Sequence, residues 1–216
     1  MEKFNHIELN NEVTKRGDNG FFKLEKDVEA IEEFLREVDF RTVPFNSEMK
    51  RLRYLVEENY YYNIFDKYIE DEILECLELA ANFKFEFKSY MAASKFYKDY
   101  ALKTNDKKQY LENFNQHVFI VAMYLADGDV ALAKELMISM LEQRLQPATP
   151  TFLNSGRSRR GELVSCFLLE VGDSLNSINY IDSTAKQLSK IGGGVAINLS
   201  KLRARGESIK GIKGVA

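Results

Sequence analysis

Residues 163–199 read LVSCFLLEVGDSLNSINYIDSTAKQLSKIGGGVAINL, and three signals inside them decide the architecture. Leu163 to Val171 is a short, almost unbroken apolar run of strand length, the pattern of a parallel strand buried on both faces. Asp173 and Ser174 follow in capping position for a helix from about Leu175 to Leu188. Gly192, Gly193 and Gly194 interrupt that helix, and Val195 to Leu199 predicts a second strand. Strand, helix and strand in that order form one βαβ unit, so the end of the chain is expected to belong to an α/β sheet.

Toward the N-terminus the apolar residues recur with the helical period of 3.6. Val28, Ile31, Phe34, Leu35 and Val38 make one helical stripe, and Met49, Leu52, Leu55 and Val56 begin another. Ile64, Phe65, Tyr68, Ile69, Ile73, Leu74 and Leu77 continue the period across 61–85. A further helix is expected from about Gln109 to Ala126. Asp127-Gly128-Asp129 then forms a turn whose last residue caps Val130 to Gln143, with Leu132, Leu136, Met137 and Met140 facing inward. Pro147, Pro150, Asn154, Ser155 and Gly156 mark a loop. No internal repeat or low-complexity segment interrupts this order.

Composition divides the chain at the same place. Of 12 glycines nine lie after residue 144, whereas 23 of the 26 Phe and Tyr residues lie before it. Lys and Arg number 20 against 28 Asp and Glu in the first part and 10 against 5 in the second, so an acidic helical body leads into a basic, glycine-punctuated tail. With 216 residues, 45% of them hydrophobic, the chain can bury a core without disulfide or metal staples. No apolar run approaches the ~20 residues of a membrane span. The net charge of -3 offers no footprint for nucleic acid or for an anionic membrane. MEKFNHIELNNEV has neither a basic nor an apolar signal region, and Cys76 and Cys166 stand far apart. Both features lead us to expect a reducing, cytoplasmic setting.

Several residues carry two readings. Cys166 is a small core hydrophobe, or a thiol that exchanges electrons with a substrate if its side chain faces a cavity; Cys76 reads as core. Thr149, Thr151, Asn154 and Ser155 crowd polar groups into the loop ahead of the first strand, as binding loops and ordinary turns both do. Asp173 is a helix cap or an acceptor for a sugar hydroxyl. Lys201, Arg203, Arg205 and Lys210 form a solvated basic face or contact phosphate. IGGGVAI misses the dinucleotide fingerprint, because Ile197 stands where its last glycine is needed, and it lacks the Gly-Lys-Ser/Thr of a P-loop. A tight turn, a close backbone approach and a phosphate cradle stay open for it. His6 and His117 read as isolated, so no metal site or His-based acid/base pair is expected. Asn198-Leu199-Ser200 matches a glycosylation sequon by chance.

Taken together, QPATPTFLNSG at 146–156, ELVSCFLLEVGDS at 162–174 and KIGGGVAINLSKLRARGESIKG at 190–211 resemble consecutive segments of the large (alpha) subunit of class I ribonucleotide reductase. FKSYMAASKFYKDYAL at 87–102 is similar to the region preceding them in the class Ib branch. The resemblance implies a mainly α N-terminal region followed by the first β-α-β elements of an incomplete ten-stranded α/β barrel. Its expected divisions are an N-terminal helical region of class Ib type at 1–90, a helical region leading to the barrel at 91–161, and the start of the barrel at 162–216. It also implies reduction of ribonucleoside diphosphates to 2′-deoxyribonucleoside diphosphates by thiol and radical chemistry.

Residue by residue, the resemblance implies that Thr149, Ser165, Cys166 and Gly194 contact the substrate. Cys166 becomes one of the two thiols that supply reducing equivalents, and Asp173 and Arg203 bind a deoxynucleotide or ATP effector near a dimer interface. No cofactor or metal is expected on this chain; a metal-radical cofactor is expected in a separate beta subunit. The other implied partners are a glutaredoxin- or thioredoxin-like reductant, a second alpha subunit and, if separately encoded, the remainder of the alpha subunit. The family's radical cysteine, its catalytic Asn and Glu, the second reducing cysteine and its C-terminal thiol tail have no match before the chain stops at IKGIKGVA. Nor does a full N-terminal ATP-cone module. The expectation is therefore a piece that is inactive alone; the alternatives are a non-catalytic deoxynucleotide-binding or dimerisation module, or an inactive remnant.

Overall fold

The computed structural model describes residues 4–13, 18–21, 27–159 and 161–215, so the end at Ala216 lies outside the described residues. The chain divides into two compact units, Met1–Arg160 and Gly161–Ala216.

The first unit is helical: α1 His6–Val13, α2 Val28–Phe40, α3 Glu48–Glu57, α4 Glu70–Asn82, α5 Tyr90–Lys95, α6 Phe114–Ala126, α7 Val130–Leu141 and α8 Thr149–Asn154. Its centre is α6. Val118, Phe119, Ile120, Val121, Ala122 and Met123 are all fully buried. A helix apolar all round is stable only where neighbours cover every side, and α4 and α7 both pack against this one. Their buried stripes supply Ile73, Cys76 and Leu77 from α4, and Ala133, Met137 and Met140 from α7. Cys76 is thus a core residue, as its position on the stripe predicted. Leu74 and Leu132, expected to face inward, are exposed.

Helix ends follow side-chain chemistry. Asp129 accepts the Leu132 N–H at 3.0 Å, as expected of the cap. Asn113 and Gln116 form a reciprocal capping box: the Gln116 N–H donates to Asn113 Oδ1 at 3.0 Å and the Asn113 N–H to Gln116 Oε1 at 2.8 Å.

Three expected elements come out differently. The helix expected from Gln109 starts at Phe114, because Tyr110 exchanges backbone hydrogen bonds with Arg41 and Val43, and the Leu111 N–H donates to the Leu102 carbonyl at 2.9 Å. The stripe across 61–85 is broken. A single turn over Ile64–Asp66 precedes α4, whose start is set by the Glu72 carboxylate accepting the Ile69 N–H at 3.1 Å. The loop expected at 147–156 contains α8, with Pro150 in its first turn, where a missing N–H costs nothing.

A wide turn at Phe96–Tyr100 continues α5, and the Ala101 N–H closes it on the Phe96 carbonyl at 2.9 Å. Gly156 ends the α8 segment with φ +76, and a Cβ there would lie 2.6 Å from Ile120 Cγ1, so only glycine lets this backbone lie on α6.

The second unit is β1 Cys166–Glu170, α9 Leu175–Lys190 and β2 Gly194–Asn198. The strands pair in parallel with Cys166 opposite Gly194 and Glu170 opposite Asn198, joined through α9. This is the expected βαβ unit and the mainly helical, incomplete-barrel architecture. β1, however, is covered on one face only. Phe167, Leu169 and Val171 alternate with the exposed Cys166, Leu168 and Glu170, and Leu168 is 86% exposed. Local apolarity could not reveal this, because periodicity does not count the layers laid over a sheet. Gly193 admits the Phe167 ring, which a Cβ would meet at 2.6 Å.

Candidate functional site

Residues singled out from the sequence converge on two ends of the βαβ unit. At the amino end of the strands, Cys166 stands in register with Gly194, whose N–H donates to the Ser165 carbonyl at 2.7 Å. Ser165 Oγ and Cys166 Sγ are 4.0 Å apart. Residues paired in a parallel ladder share a face, so Cys166 and Gly194 both lie opposite the face that α9 covers. In the α/β barrel that the resemblance implies, helices lie outside, and the uncovered face would be the inner one. Cys166 is therefore exposed instead of buried within its strand.

Beyond the carboxyl ends, roughly 13 Å further along at 3.3 Å per residue, Asp173 meets Arg203. Arg203 Nε donates to Asp173 Oδ2 at 2.7 Å, and Nη1 donates to the Ser208 carbonyl at 3.1 Å. Each side chain is about a third exposed. The helix cap is Ser174, not Asp173: Ser174 Oγ accepts the Ser177 N–H at 3.2 Å. One residue further from the helix, the Asp173 carboxylate is left to the guanidinium. Lys201 likewise pairs with Glu170 at 2.9 Å, so the basic cluster is partly neutralised instead of being a free face.

Thr149 belongs to the first unit, at the start of α8, with its hydroxyl 3.2 Å from Tyr100 Oη. Beneath α8 lies a charged network that motif reading missed. Glu112, 1% exposed, accepts from Arg157 Nη2 at 2.6 Å, from the Leu102 N–H at 2.7 Å and from the Tyr61 hydroxyl. His117 Nδ1 lies 3.0 Å from Glu112 Oε1, while its Nε2–H donates to the Phe152 carbonyl of α8 at 2.8 Å.

Burial pushes the Glu112 carboxyl upward, but Arg157, His117 and the hydrogen bonds from His117 and Tyr61 outweigh it and hold the group well below the usual carboxylate range. Burial, with Glu112 beside it, pushes the Tyr61 phenol up. His117 is therefore not isolated, and neither is His6, whose ring nitrogens face Tyr90 Oη at 2.7 Å and Glu37 Oε2 at 2.8 Å. Their partners are distant in sequence, so spacing carried no signal. Among the described residues no three His, Cys, Asp or Glu side chains gather as a metal site requires. No described helix is long and apolar enough to cross a membrane.

Comparison with known families covers nearly the whole chain. Residues 6–85 match the ribonucleotide reductase N-terminal family, 86–160 the ribonucleotide reductase all-alpha domain, and 164–216 the ribonucleotide reductase barrel domain. The chain belongs to the ribonucleotide reductase large-subunit family. Among its relatives, the ribonucleoside-diphosphate reductase subunit alpha of Bacillus subtilis is 51% identical over 96% of this chain and 30% of that protein. The NrdEB subunit alpha of the same organism is 51% identical over 97% of this chain and 19% of that protein. The alpha subunit of Mycoplasma pneumoniae is 41% identical over 96% of this chain and 28% of its own length. The chain thus spans less than a third of the length of these reductase subunits.

Proposed function

We propose that the chain serves as the N-terminal part of a class Ib type ribonucleoside-diphosphate reductase alpha subunit, acting in the cytoplasm on ribonucleoside diphosphates. One observation supports this above the others: Ser165, Cys166 and Gly194 meet at one end of a parallel strand pair, with Cys166 and Gly194 on the face opposite α9.

Replacing a 2′ hydroxyl by hydrogen consumes two thiols. The hydroxyl leaves as water, two electrons pass to the sugar, and the sulfurs end as a disulfide. Cys166 supplies one thiol. The second, together with the cysteine that abstracts the sugar hydrogen and the carboxylate that moves the proton, belongs to the segments that complete the barrel. An inner strand suits this chemistry, since water must be kept from a radical. Gly194 contributes a backbone contact to the substrate, and Ser165 and Thr149 hydroxyls hydrogen-bond to it. At the other end of the strands, Asp173 accepts a hydrogen bond from a ribose hydroxyl, and Arg203 donates to a phosphate of the deoxynucleotide or ATP effector. The partners are a second alpha subunit, a beta subunit whose metal-radical cofactor initiates the reaction, and a glutaredoxin- or thioredoxin-like reductant.

The test is CDP reduction by the chain assembled with the polypeptide that completes the barrel, supplied with beta subunit and a dithiol. Cys166→Ser is expected to abolish turnover, and undiminished turnover refutes the assignment. Titration of the chain with dTTP tests the effector pair, with Asp173→Ala expected to weaken binding. dTTP binding by a chain that yields no reduction in any assembly would instead make it a non-catalytic deoxynucleotide-binding module.

A further inference from the structure

The first unit is acidic, yet one of its cavities is basic. A groove of about 500 Å³ lies between the 98–107 segment and the end of α8. Lys98, Lys103, Lys107 and Arg159 line it, and among the described residues none of the four has a carboxylate within ion-pair distance. The one acid on the lining, Asp99, is held by Lys95 at 2.5 Å. We propose that this groove, whose lining belongs wholly to the first unit and includes none of Cys166, Asp173 and Arg203, binds the phosphate chain of a nucleoside di- or triphosphate.

Three features support the assignment, none of which depends on the function proposed for Cys166. The first is charge. Four cations match the roughly three to four negative charges of a triphosphate, and like charges crowded along one wall raise the local concentration of anions. Burial, reinforced by Arg41 and Lys107, pushes the Lys103 ammonium's pKa down against the pull of Asp99. A bound anion would relieve that crowding.

The second feature is preorganisation. Lys103 Nζ is fixed by donating to the Lys98 carbonyl at 2.6 Å and by lying 5.4 Å from the centre of the Tyr110 ring. The wall behind it is anchored by the Glu112 carboxylate on the Leu102 N–H at 2.7 Å and by Arg157 Nη2 on the Tyr100 carbonyl at 2.9 Å. Arg157 also lines the groove, with a side chain 8% exposed and an Nε–H that has no hydrogen-bond partner among the described residues.

The third feature is shape. The tyrosines Tyr60 and Tyr100 share the lining with Asn59 and Asn154. Aromatic faces and amides are the groups that stack on and hydrogen-bond to a nucleobase, while lysines act on phosphate as point charges.

The experiment is calorimetric titration of the full chain carrying Arg203→Ala, which disables the other nucleotide site, using tripolyphosphate, ATP and dTTP as probes at 0.15 M salt. Saturable binding is expected. It should weaken roughly three- to fivefold for each of Lys98→Gln, Lys103→Gln and Lys107→Gln, and by about 30- to 100-fold when they are combined. Lys67→Gln, at a surface ion pair elsewhere, should change nothing. ATP or dTTP binding more tightly than tripolyphosphate supports the nucleotide. Tripolyphosphate binding as tightly as either overturns the nucleotide in favour of a bare polyphosphate. Circular dichroism and thermal melting confirm that the lysine variants remain folded. Absence of saturable binding overturns the proposal, as does binding that survives the triple substitution.

Discussion

Glu112 is the residue whose replacement tests the described structure most severely. Glu112→Gln keeps the shape and removes one charge, leaving the guanidinium of Arg157, 8% exposed, without its counter-ion. Breaking a buried pair from one side costs about 3–5 kcal/mol, because the surviving charge stays desolvated. Against a total stability of about 5–15 kcal/mol this is a large fraction. With a urea dependence of about 2 kcal/mol per molar, the unfolding midpoint of the helical unit should fall by roughly 1.5–2.5 M. Tyrosine near-UV circular dichroism would follow it, since Tyr61 lies in the network.

Tyr61→Phe supplies the graded comparison. It removes only a donor to a charged acceptor and should cost about 1.5–3 kcal/mol. The pH dependence follows from the depressed Glu112 pKa. A carboxylate held below its unfolded value stabilises the fold fully above about pH 4.3, and that stability is lost as pH falls toward the folded value. The gap between wild type and Glu112→Gln should therefore narrow progressively below about pH 4.5. A midpoint shift under 0.5 M at pH 7, or a gap that widens in acid, refutes the network.

Other outcomes follow from the same coordinates. In the folded chain a thiol reagent should titrate Cys166, which is exposed, and spare Cys76, which is buried and has its pKa raised chiefly by that burial, while both react after denaturation; protection of Cys166 would contradict its exposure. Gly156→Ala forces a left-handed backbone on a residue with a Cβ that would meet Ile120 at 2.6 Å, so thermal melting should show a loss of about 2–4 kcal/mol. Asp129→Ala removes the cap of α7 and should cost about 1 kcal/mol, whereas Asp129→Ser should recover most of it.

How far the fold was legible depended on how local its causes were. The helix ending at Ala126 and the start of α7 at Asp129 were legible, since each is set within one or two turns. One departure occurred where a distant segment decided the matter, and the others where a local cap or turn went unread. Residues 109–113 carry helical spacing, yet Tyr110 pairs with Arg41 and Val43, nearly 70 positions earlier, and that pairing displaces the helix start to Phe114. At 61–85 the apolar spacing in the sequence runs on through Ile69, and only the cap that Glu72 gives the Ile69 N–H shows where α4 begins.

The candidate site was legible in a different way. The resemblance brought out Ser165, Cys166, Gly194, Asp173 and Arg203; the strand register sets Cys166 beside Gly194, and a side-chain hydrogen bond joins Asp173 to Arg203. Which way Cys166 faces was hidden, because a strand written for two covered faces and one covered on a single face share the same apolar run. Glu112 and His117 were hidden for the opposite reason. An acid just before a helix and a histidine within it are ordinary by local rules, and their meaning comes from Tyr61, Phe152 and Arg157, each from a different stretch of chain. The network ties together the segments that carry Tyr100, Leu102 and Phe152, and so it fixes α8 and the wall of the basic groove in one piece. A side chain that looks bland in sequence thus sets the geometry of the residues that look chemical.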